Sequence, residues 1–151
     1  MAVTSHAYPY AIDQIGKKQI SLTADSFKML LCTGSAATWG ATQQAYQFVS
    51  SVTGAYTEVA GGGYARVTLA GLSYTFSANQ NTWTCTSPIS FGSSVTIAAA
   101  SGFIYDDTIG GSDAAKPLIC VIDFGGTVSS SSGSWTYTVD PTNGLVYWTD
   151  V

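Results

Sequence analysis

The clearest alternation in this chain lies in the stretch LSYTFSANQNTWTCT, residues 72–86. Its first half alternates Leu72, Tyr74 and Phe76 with serine and threonine, and its second half alternates in the same way after a polar turn at residues 79–81. Successive side chains of a β-strand point to opposite faces of a sheet, so each half predicts a strand with one apolar and one hydroxyl-rich face. The stretch therefore predicts two β-strands joined by a turn.

Further segments predict strands of the same kind. Residues 27–33 are mostly apolar and are bounded by Gly34, which predicts a strand. Residues 118–124 are apolar on both faces until Asp123, which predicts a central strand covered on two sides. Residues 135–139 and 145–148 predict two final strands, and the Asn-Gly pair within residues 140–144 predicts a tight hairpin between them.

Together these patterns predict an all-β fold, an antiparallel β-sandwich or jelly roll of about eight strands. One short helix is expected near residues 41–52, where apolar residues recur at helical spacing. The glycines at residues 61–63 predict a backbone that bends or is closely approached, and the serine tract at residues 129–132 predicts a mobile loop. The length predicts a single domain, residues 19–151, preceded by an N-terminal arm over residues 1–18.

The composition indicates a protein built to contact other proteins. Only 9% of the residues are charged, against about 25% in an ordinary soluble domain, whereas 46% are hydrophobic and 13% aromatic. The polar surface must therefore consist mainly of hydroxyl groups. Such a surface suits a subunit in permanent contact with its neighbours better than a freely diffusing monomer. The formal net charge of −4 and the scattered basic residues argue against nucleic acid as a partner.

The sequence also indicates the compartment in which the protein is made. It shows neither the pattern of a signal peptide nor an apolar run near the ~18 residues of a membrane span, so synthesis without export and no membrane partner are expected. Cys32 and Cys120 lie in apolar runs, and Cys85 alternates with threonines. All three cysteines are expected to be buried and reduced, as in a reducing cytoplasm.

No arrangement in the sequence predicts catalysis or a cofactor, and the chain is predicted not to be an enzyme. The single histidine, His6, excludes a zinc site of several imidazoles and is expected to be satisfied or solvent-facing. Asp106, Asp107 and Asp113 could hold calcium, but they do not match the EF-hand spacing, and turn formation is the favoured interpretation of these carboxylates. A glycan hydrolase that uses Asp106 or Asp107 is the remaining enzymatic interpretation.

The aromatic side chains have two possible roles. Alternation places most of them on one face of a strand, where they would fill the core or a subunit interface. Trp39 and Tyr46 lie outside the regular strands and are the predicted partner contacts, together with Tyr8 and Tyr10 in the N-terminal arm. The arm could be a short helix or an extended segment, and Pro9 argues against a helix in its first half.

A set of turns and strands follows in order along the chain. The strand at residues 27–33 precedes a short helix around Tyr46 and a Gly- and Tyr-rich loop at residues 57–64. The C-terminal half then contains YDDT, DAAKPLI, VIDFGG and SWTY at residues 105–108, 113–119, 121–126 and 134–137. In this order the segments resemble a family of small structural proteins encoded by tailed bacteriophages, whose first strand has the pattern K-V-x-L-x-T-S.

The resemblance implies a β-sandwich displayed on the virion. It implies a head decoration (cement) protein that binds the major capsid protein at symmetry axes of the capsid, as a homo-oligomer with a trimer favoured. The N-terminal arm would then reach neighbouring shell subunits. The expected function is a non-enzymatic virion protein that stabilises the capsid shell and is made in the host cytoplasm. The alternative is a tail-fibre or spike module that binds host-surface glycans, motivated by the aromatic residues and the Gly- and Ser-rich loops.

Overall fold

The chain forms eight β-strands and three short α-helices in a computed structural model that describes residues 3–77 and 79–149, the last two of these as backbone only. The strands are β1 (Thr4–Ala7), β2 (Phe27–Cys32), β3 (Val67–Thr68), β4 (Leu72–Ser77), β5 (Gln80–Cys85), β6 (Ile89–Asp106), β7 (Leu118–Tyr137) and β8 (Val146–Thr149). The helices are α1 (Pro9–Gly16), α2 (Ala41–Gln44) and α3 (Val49–Ala55), with a single 3₁₀ turn at Asp113–Ala115.

Two antiparallel sheets divide the strands between them. The large sheet has the order β1-β7-β6-β2-β3, and the small sheet has the order β4-β5-β8. All the pairings between these strands are antiparallel. The arrangement is consistent with a β-sandwich and confirms the predicted fold class.

The hairpin of β4 and β5 keeps the alternation that the sequence shows. Its register runs over six residue pairs without a shift, and Asn79 in the connecting turn has a positive φ of +63°, which asparagine tolerates better than most residues. Trp83 in β5 is fully buried and meets Phe27 of the large sheet edge to face, with 5.0 Å between ring centroids. The hydroxyl face of the hairpin points away from this contact.

The large sheet is covered on both faces. Leu30 lies opposite Phe103, so both side chains point to one face, where Phe103 contacts Tyr56 at the end of α3 with 5.3 Å between ring centroids. Phe27 points to the other face and contacts Trp83 of the small sheet. The segment that contains α3 therefore covers one face, and the small sheet covers the other.

Strands β6 and β7 have an inner and an outer part. The inner parts lie in the large sheet, where residues 118–124 of β7 are buried throughout between β1 and β6, which confirms the predicted central strand. The outer parts, residues 89–99 of β6 and residues 128–137 of β7, pair with each other beyond the contacts of β1 and β2, and we call them the ribbon. The predicted mobile loop at residues 129–132 is wrong, because pairing with β6 takes these serines into the ribbon.

Register shifts bend the ribbon so that its apolar side packs on the rest of the domain. Several irregularities interrupt its ladder, the first between Ser90 and Gly92, and such bulges bend and twist a strand pair. Phe91 meets Trp135 edge-on with 5.2 Å between ring centroids, and Trp135 contacts Phe124 of the large sheet at 5.6 Å. Aromatic contacts therefore fix the ribbon to the domain.

A close backbone approach at Gly62 holds the ribbon from the other side. The backbone amide of Thr96 donates to the carbonyl of Gly62 at 2.8 Å. Gly62 has a φ of +58°, and a Cβ atom there would lie 2.2 Å from the Thr96 carbonyl oxygen. The position therefore requires glycine, as the run of glycines at residues 61–63 predicts.

The predicted hairpin of the last two strands is wrong. The turn at residues 140–144 does form, and Asp140 Oδ1 accepts hydrogen bonds from two backbone amides there at 2.7 Å. However, β8 pairs with β5 in the small sheet, where Val146 is buried opposite Trp83. Turn residues act locally and set only the change of direction, whereas burial of the strand decides its partner.

The N-terminal arm and the predicted helix near residues 41–52 differ in detail from the predictions. The described part of the predicted arm, residues 3–18, lies on the domain as the edge strand β1 and the helix α1, which starts at Pro9 because the first turn of a helix needs no amide donor. The helix expected near residues 41–52 consists of two helices, α2 and α3. They are separated where Phe48 forms a β-bridge with Pro117.

Candidate functional site

Three of the five cationic side chains of the protein meet in one cluster beside the large sheet. Lys28 comes from β2, Arg66 directly precedes β3, and Lys116 lies in the loop between β6 and β7. Three carboxylates pair with them, so the formal charges balance. We call this group the charged cluster; it consists of Lys28, Glu58, Arg66, Asp107, Asp113 and Lys116.

Arg66 lies at the centre of the charged cluster. Its Nε and Nη2 atoms donate to the two carboxylate oxygens of Glu58 at 2.8 and 2.7 Å, and Nη1 and Nη2 donate to the two oxygens of Asp113 at 2.7 Å each. Such bidentate bonds are the strong form of an ion pair. The hydrogen bonds to Glu58 and Asp113 raise the pKa of Arg66, and the bond from Arg66 lowers the pKa of Asp113.

Asp107 joins the two lysines of the cluster. The Nζ atom of Lys28 lies 2.6 Å from Asp107 Oδ2, and that of Lys116 lies 2.7 Å from Oδ1. Burial acts to raise the pKa of Asp107, but the hydrogen bonds from Lys116 and Lys28 outweigh burial and lower it. The Tyr105 ring supports the cluster, with Arg66 Cζ 5.5 Å and Lys116 Nζ 5.6 Å from its centroid. Lys28 and Arg66 thus fasten the loop between β6 and β7 through Asp107 and Asp113, and Glu58 is the second carboxylate partner of Arg66.

The three aspartates considered as turn formers or calcium ligands have different partners. Asp106 is buried, and its Oδ1 accepts a hydrogen bond from the backbone amide of Thr108 at 2.7 Å, the kind of turn contact that the favoured interpretation predicts. Asp107 and Asp113 are ion-paired in the charged cluster. Within residues 3–77 and 79–149, no group of three or more His, Cys, Asp or Glu side chains is placed to hold a metal ion.

The four predicted partner contacts differ in exposure. Tyr8 is 1% exposed, because it directly follows β1 and lies in the core, and burial raises its pKa. Its side chain is therefore not available to a partner. Tyr10, Trp39 and Tyr46 are half-buried, so each keeps part of its surface accessible. Trp39 is further held by stacking on His6, with 4.7 Å between ring centroids.

Burial shifts the pKa values of the histidine and of the cysteines. Burial lowers the pKa of His6, so its ring is neutral at neutral pH. Cys32, Cys85 and Cys120 are free and buried, as the sequence predicts. Burial raises the pKa of Cys32 to about 12 and raises that of Cys120 as well, so neither thiol ionises near neutral pH.

An extended uncharged surface contrasts with the charged cluster. Residues 67–105 and 124–139, which include β4, β5 and the ribbon, contain no charged side chain. The outward positions of the ribbon are exposed and mostly bear hydroxyls; they include Ser90, Thr96, Ser129, Ser131, Ser134 and Thr136. Val128 adds an exposed apolar side chain. Such a surface can form short-range hydrogen bonds and van der Waals contacts, but it cannot attract a partner over distance by charge.

Two open grooves border the ribbon. The first, of about 470 Å³, lies between β1 and the connection from β7 to β8, and its lining includes Tyr137, Asp140 and Tyr147. The second, of about 530 Å³, is lined mostly by small and hydroxyl side chains such as Thr96 and Ser130. Both volumes lie within the range of small-ligand sites. No helix in the described part of the chain is both long and apolar enough to cross a membrane.

The sequence did not predict the charged cluster. Arg66 is eight positions from Glu58 and 47 positions from Asp113, so the fold alone brings the second carboxylate to it. One pattern could have indicated a fixed role for Arg66, because it is the single arginine of the chain and stands directly before the uncharged residues 67–105. The exposure of Phe76 was also missed, because alternation groups it with the buried Trp83.

Comparisons of the chain with protein-family models, with curated proteins and with solved structures gave no match. Its function is therefore inferred from the residues and the geometry described above.

Proposed function

We propose that this chain is a non-enzymatic structural protein of a tailed-bacteriophage virion, a head decoration protein that binds the major capsid protein and stabilises the shell. The observation that carries the proposal is the uncharged, hydroxyl-rich surface formed by residues 67–105 and 124–139. The resemblance of the sequence to phage structural proteins supports the virion as its location, with synthesis in the host cytoplasm.

Such a surface suits attachment to a regular protein lattice. A paired ribbon holds its outward serines and threonines at fixed spacing, so docking requires little further ordering of the chain. Individual van der Waals contacts are weak and become sufficient when many form at once. A subunit that contacts several capsid proteins together binds the assembled shell, and this binding stabilises the assembled state by mass action.

The partners of the three aspartates and the protonation of Cys32 support a non-enzymatic role. Asp107 and Asp113 are occupied by ion pairs, Asp106 caps a turn, and Cys32 stays protonated near neutral pH. A homo-oligomer is part of the proposal, and the resemblance favours a trimer. A mass measurement of the purified protein in solution distinguishes a trimer from a monomer or a dimer.

The proposal is tested with heads of the phage that encodes the chain, prepared without this protein. After mixing, the protein should sediment with the heads up to a fixed ratio to the capsid protein, and the heads should withstand higher temperatures before they rupture. Unassembled capsid protein is the control and should bind weakly, because it lacks the lattice. Protein that stays in the supernatant at every ratio would contradict the proposal.

The first groove favours a second candidate, a glycan-binding module of a tail fibre or spike. Tyr137 and Tyr147 line this groove together with Asp140, and aromatic faces beside polar groups suit sugar rings. A glycan array with the wild type and Tyr147→Ala tests this function. Glycan binding that Tyr147→Ala abolishes would favour the module, and an array without a bound glycan would reject it.

A further inference from the structure

The four strands that end the two sheet orders differ in how their edges are protected. An edge strand presents backbone donors and acceptors that another strand can pair with, so proteins shorten such strands, cover them or place charges on them. In the large sheet, β3 has two residues and β1 has four. In the small sheet, β8 has four residues and lies beside β1. The remaining edge, β4, has six residues.

β4 has none of the features that protect an edge. Its sequence LSYTFS contains no charged residue and no proline, and its register with β5 shows no bulge. Four of its six residues are exposed. A regular, uncharged strand of this length at an edge is suited to pair with a further strand.

The apolar face of the small sheet also continues past the core along β4. Leu72 and Phe76 point to the same face as Trp83, because they lie opposite Cys85 and Asn81 in the register. Trp83 is fully buried, whereas Phe76 is 60% exposed. Burial of Phe76 would therefore gain apolar contact that the isolated chain does not make.

We propose that β4 pairs with β4 of a second copy of this chain, antiparallel and around a two-fold axis, so that the two small sheets become one six-stranded sheet. The favoured register opposes Leu72 of one copy to Phe76 of the other, and Ser73 to Thr75. This register places apolar residues opposite apolar residues on one face and hydroxyls opposite hydroxyls on the other. The proposal does not depend on the proposed function.

The absence of charge on the small sheet favours a second copy as the partner strand. The strands of the small sheet carry no charged residue, so two of these sheets can approach edge to edge without repulsion between side chains, although each chain has a net charge of −4. A partner strand with charged side chains would have to desolvate them beside Phe76. The contact is isologous and closes as a dimer, which differs from the trimer that the resemblance favours.

The first test measures the mass of the protein in solution over a concentration series. We expect a dimer whose dissociation constant rises about tenfold or more in Phe76→Lys, because this substitution puts a charge into the paired edge. Ile109→Lys is the matched control: Ile109 is also an exposed apolar residue, at 69%, but lies in the loop between β6 and β7, and its variant should dimerise like the wild type. A monomer at every concentration, a trimer, or a dimer that Phe76→Lys does not weaken would overturn the proposal.

The second test checks the register by cross-linking. The Thr86 amide donates to the Gly71 carbonyl at 3.0 Å, so these two residues form a hydrogen-bonded pair between β4 and β5. Because hydrogen-bonded pairs alternate with non-hydrogen-bonded pairs along the strand, the backbone N–H and C=O groups of Ser73 and Thr75 also point towards β5. Across the proposed interface, these two residues form non-hydrogen-bonded pairs with a Cα spacing of about 4.5 Å, which a disulfide can bridge.

The double variant Ser73→Cys/Thr75→Cys should therefore form a covalent dimer on mild oxidation. The native cysteines are buried and should not interfere. The control Thr82→Cys/Thr84→Cys places thiols on the same face of the central strand β5 and should remain uncross-linked. Equal cross-linking of both variants, or of neither, would overturn the proposed register.

Discussion

The two ends of the β6–β7 hairpin are held in opposite ways. At the loop end, the charged cluster fastens residues 107–116 through ion pairs around Arg66. At the ribbon end, no side chain is charged, and aromatic contacts between Phe91, Trp135 and Phe124 hold the strands to the domain. Three of the five cationic side chains lie in the charged cluster, and the outward positions of the ribbon bear mostly hydroxyls. Ion pairs therefore hold one end of the hairpin, and aromatic packing holds the other.

Removal of an aromatic side chain that packs the ribbon on the domain should cause the largest loss of stability. Trp135→Ala should lower the free energy of unfolding by about 3–5 kcal/mol, because Trp135 is 4% exposed and its loss leaves a cavity between Phe91 and Phe124. Thr136→Ala changes the neighbouring outward residue and should stay within about 0.5 kcal/mol of the wild type. Urea unfolding of both variants measures the difference, and similar losses would show that aromatic packing does not hold the ribbon.

Removal of the central cation should weaken the loop end by a smaller amount. Arg66→Gln leaves Glu58 and Asp113 without their partner, and because these side chains are 24% and 32% exposed, the expected loss is about 2–3 kcal/mol, below that of a fully buried pair. Lys17→Gln removes the exposed pair with Asp13 and should cost little by comparison. The same urea experiment compares the two variants. If Arg66→Gln were as stable as Lys17→Gln, the ion pairs of the charged cluster would not contribute to the stability of the protein.

Acid should weaken the ion pairs at the loop end and leave the aromatic packing of the ribbon end unchanged. The pKa of Asp113 is lowered in the folded protein by Arg66, so its contribution to stability is complete above the unfolded value of about 3.9 and is lost as the pH falls through the folded value. The difference in unfolding free energy between the wild type and Arg66→Gln should therefore shrink as the pH drops below about 4. Urea unfolding at a series of pH values measures this difference. A difference that stays constant or grows on acidification would contradict the assigned role of Arg66.

The parts of this fold that local pattern decides were predictable from sequence. Alternation predicts both strands of the β4–β5 hairpin, although the turn predicted over residues 79–81 overlaps the start of β5 at Gln80. Apolar residues on both faces predict the buried strand at residues 118–124. The final hairpin and the serine tract were predicted wrongly, because strand pairing depends on distant partners that turn and loop propensities do not contain. For the same reason the pairing of Arg66 with Asp113 could not be predicted, since folding joins residues 47 positions apart.

In the proposed function, the uncharged ribbon docks onto the virion and the charged cluster does not. This role of the ribbon is tested with one lysine at each end of the hairpin, Ser131→Lys on the ribbon and Ala114→Lys beside the cluster, both at exposed positions. Binding of each variant to undecorated heads is then measured after equal unfolding free energies have been verified. Ser131→Lys is expected to weaken binding about tenfold or more, while Ala114→Lys should bind like the wild type. Unchanged binding of Ser131→Lys, or a greater loss in Ala114→Lys, would rule out docking through the ribbon.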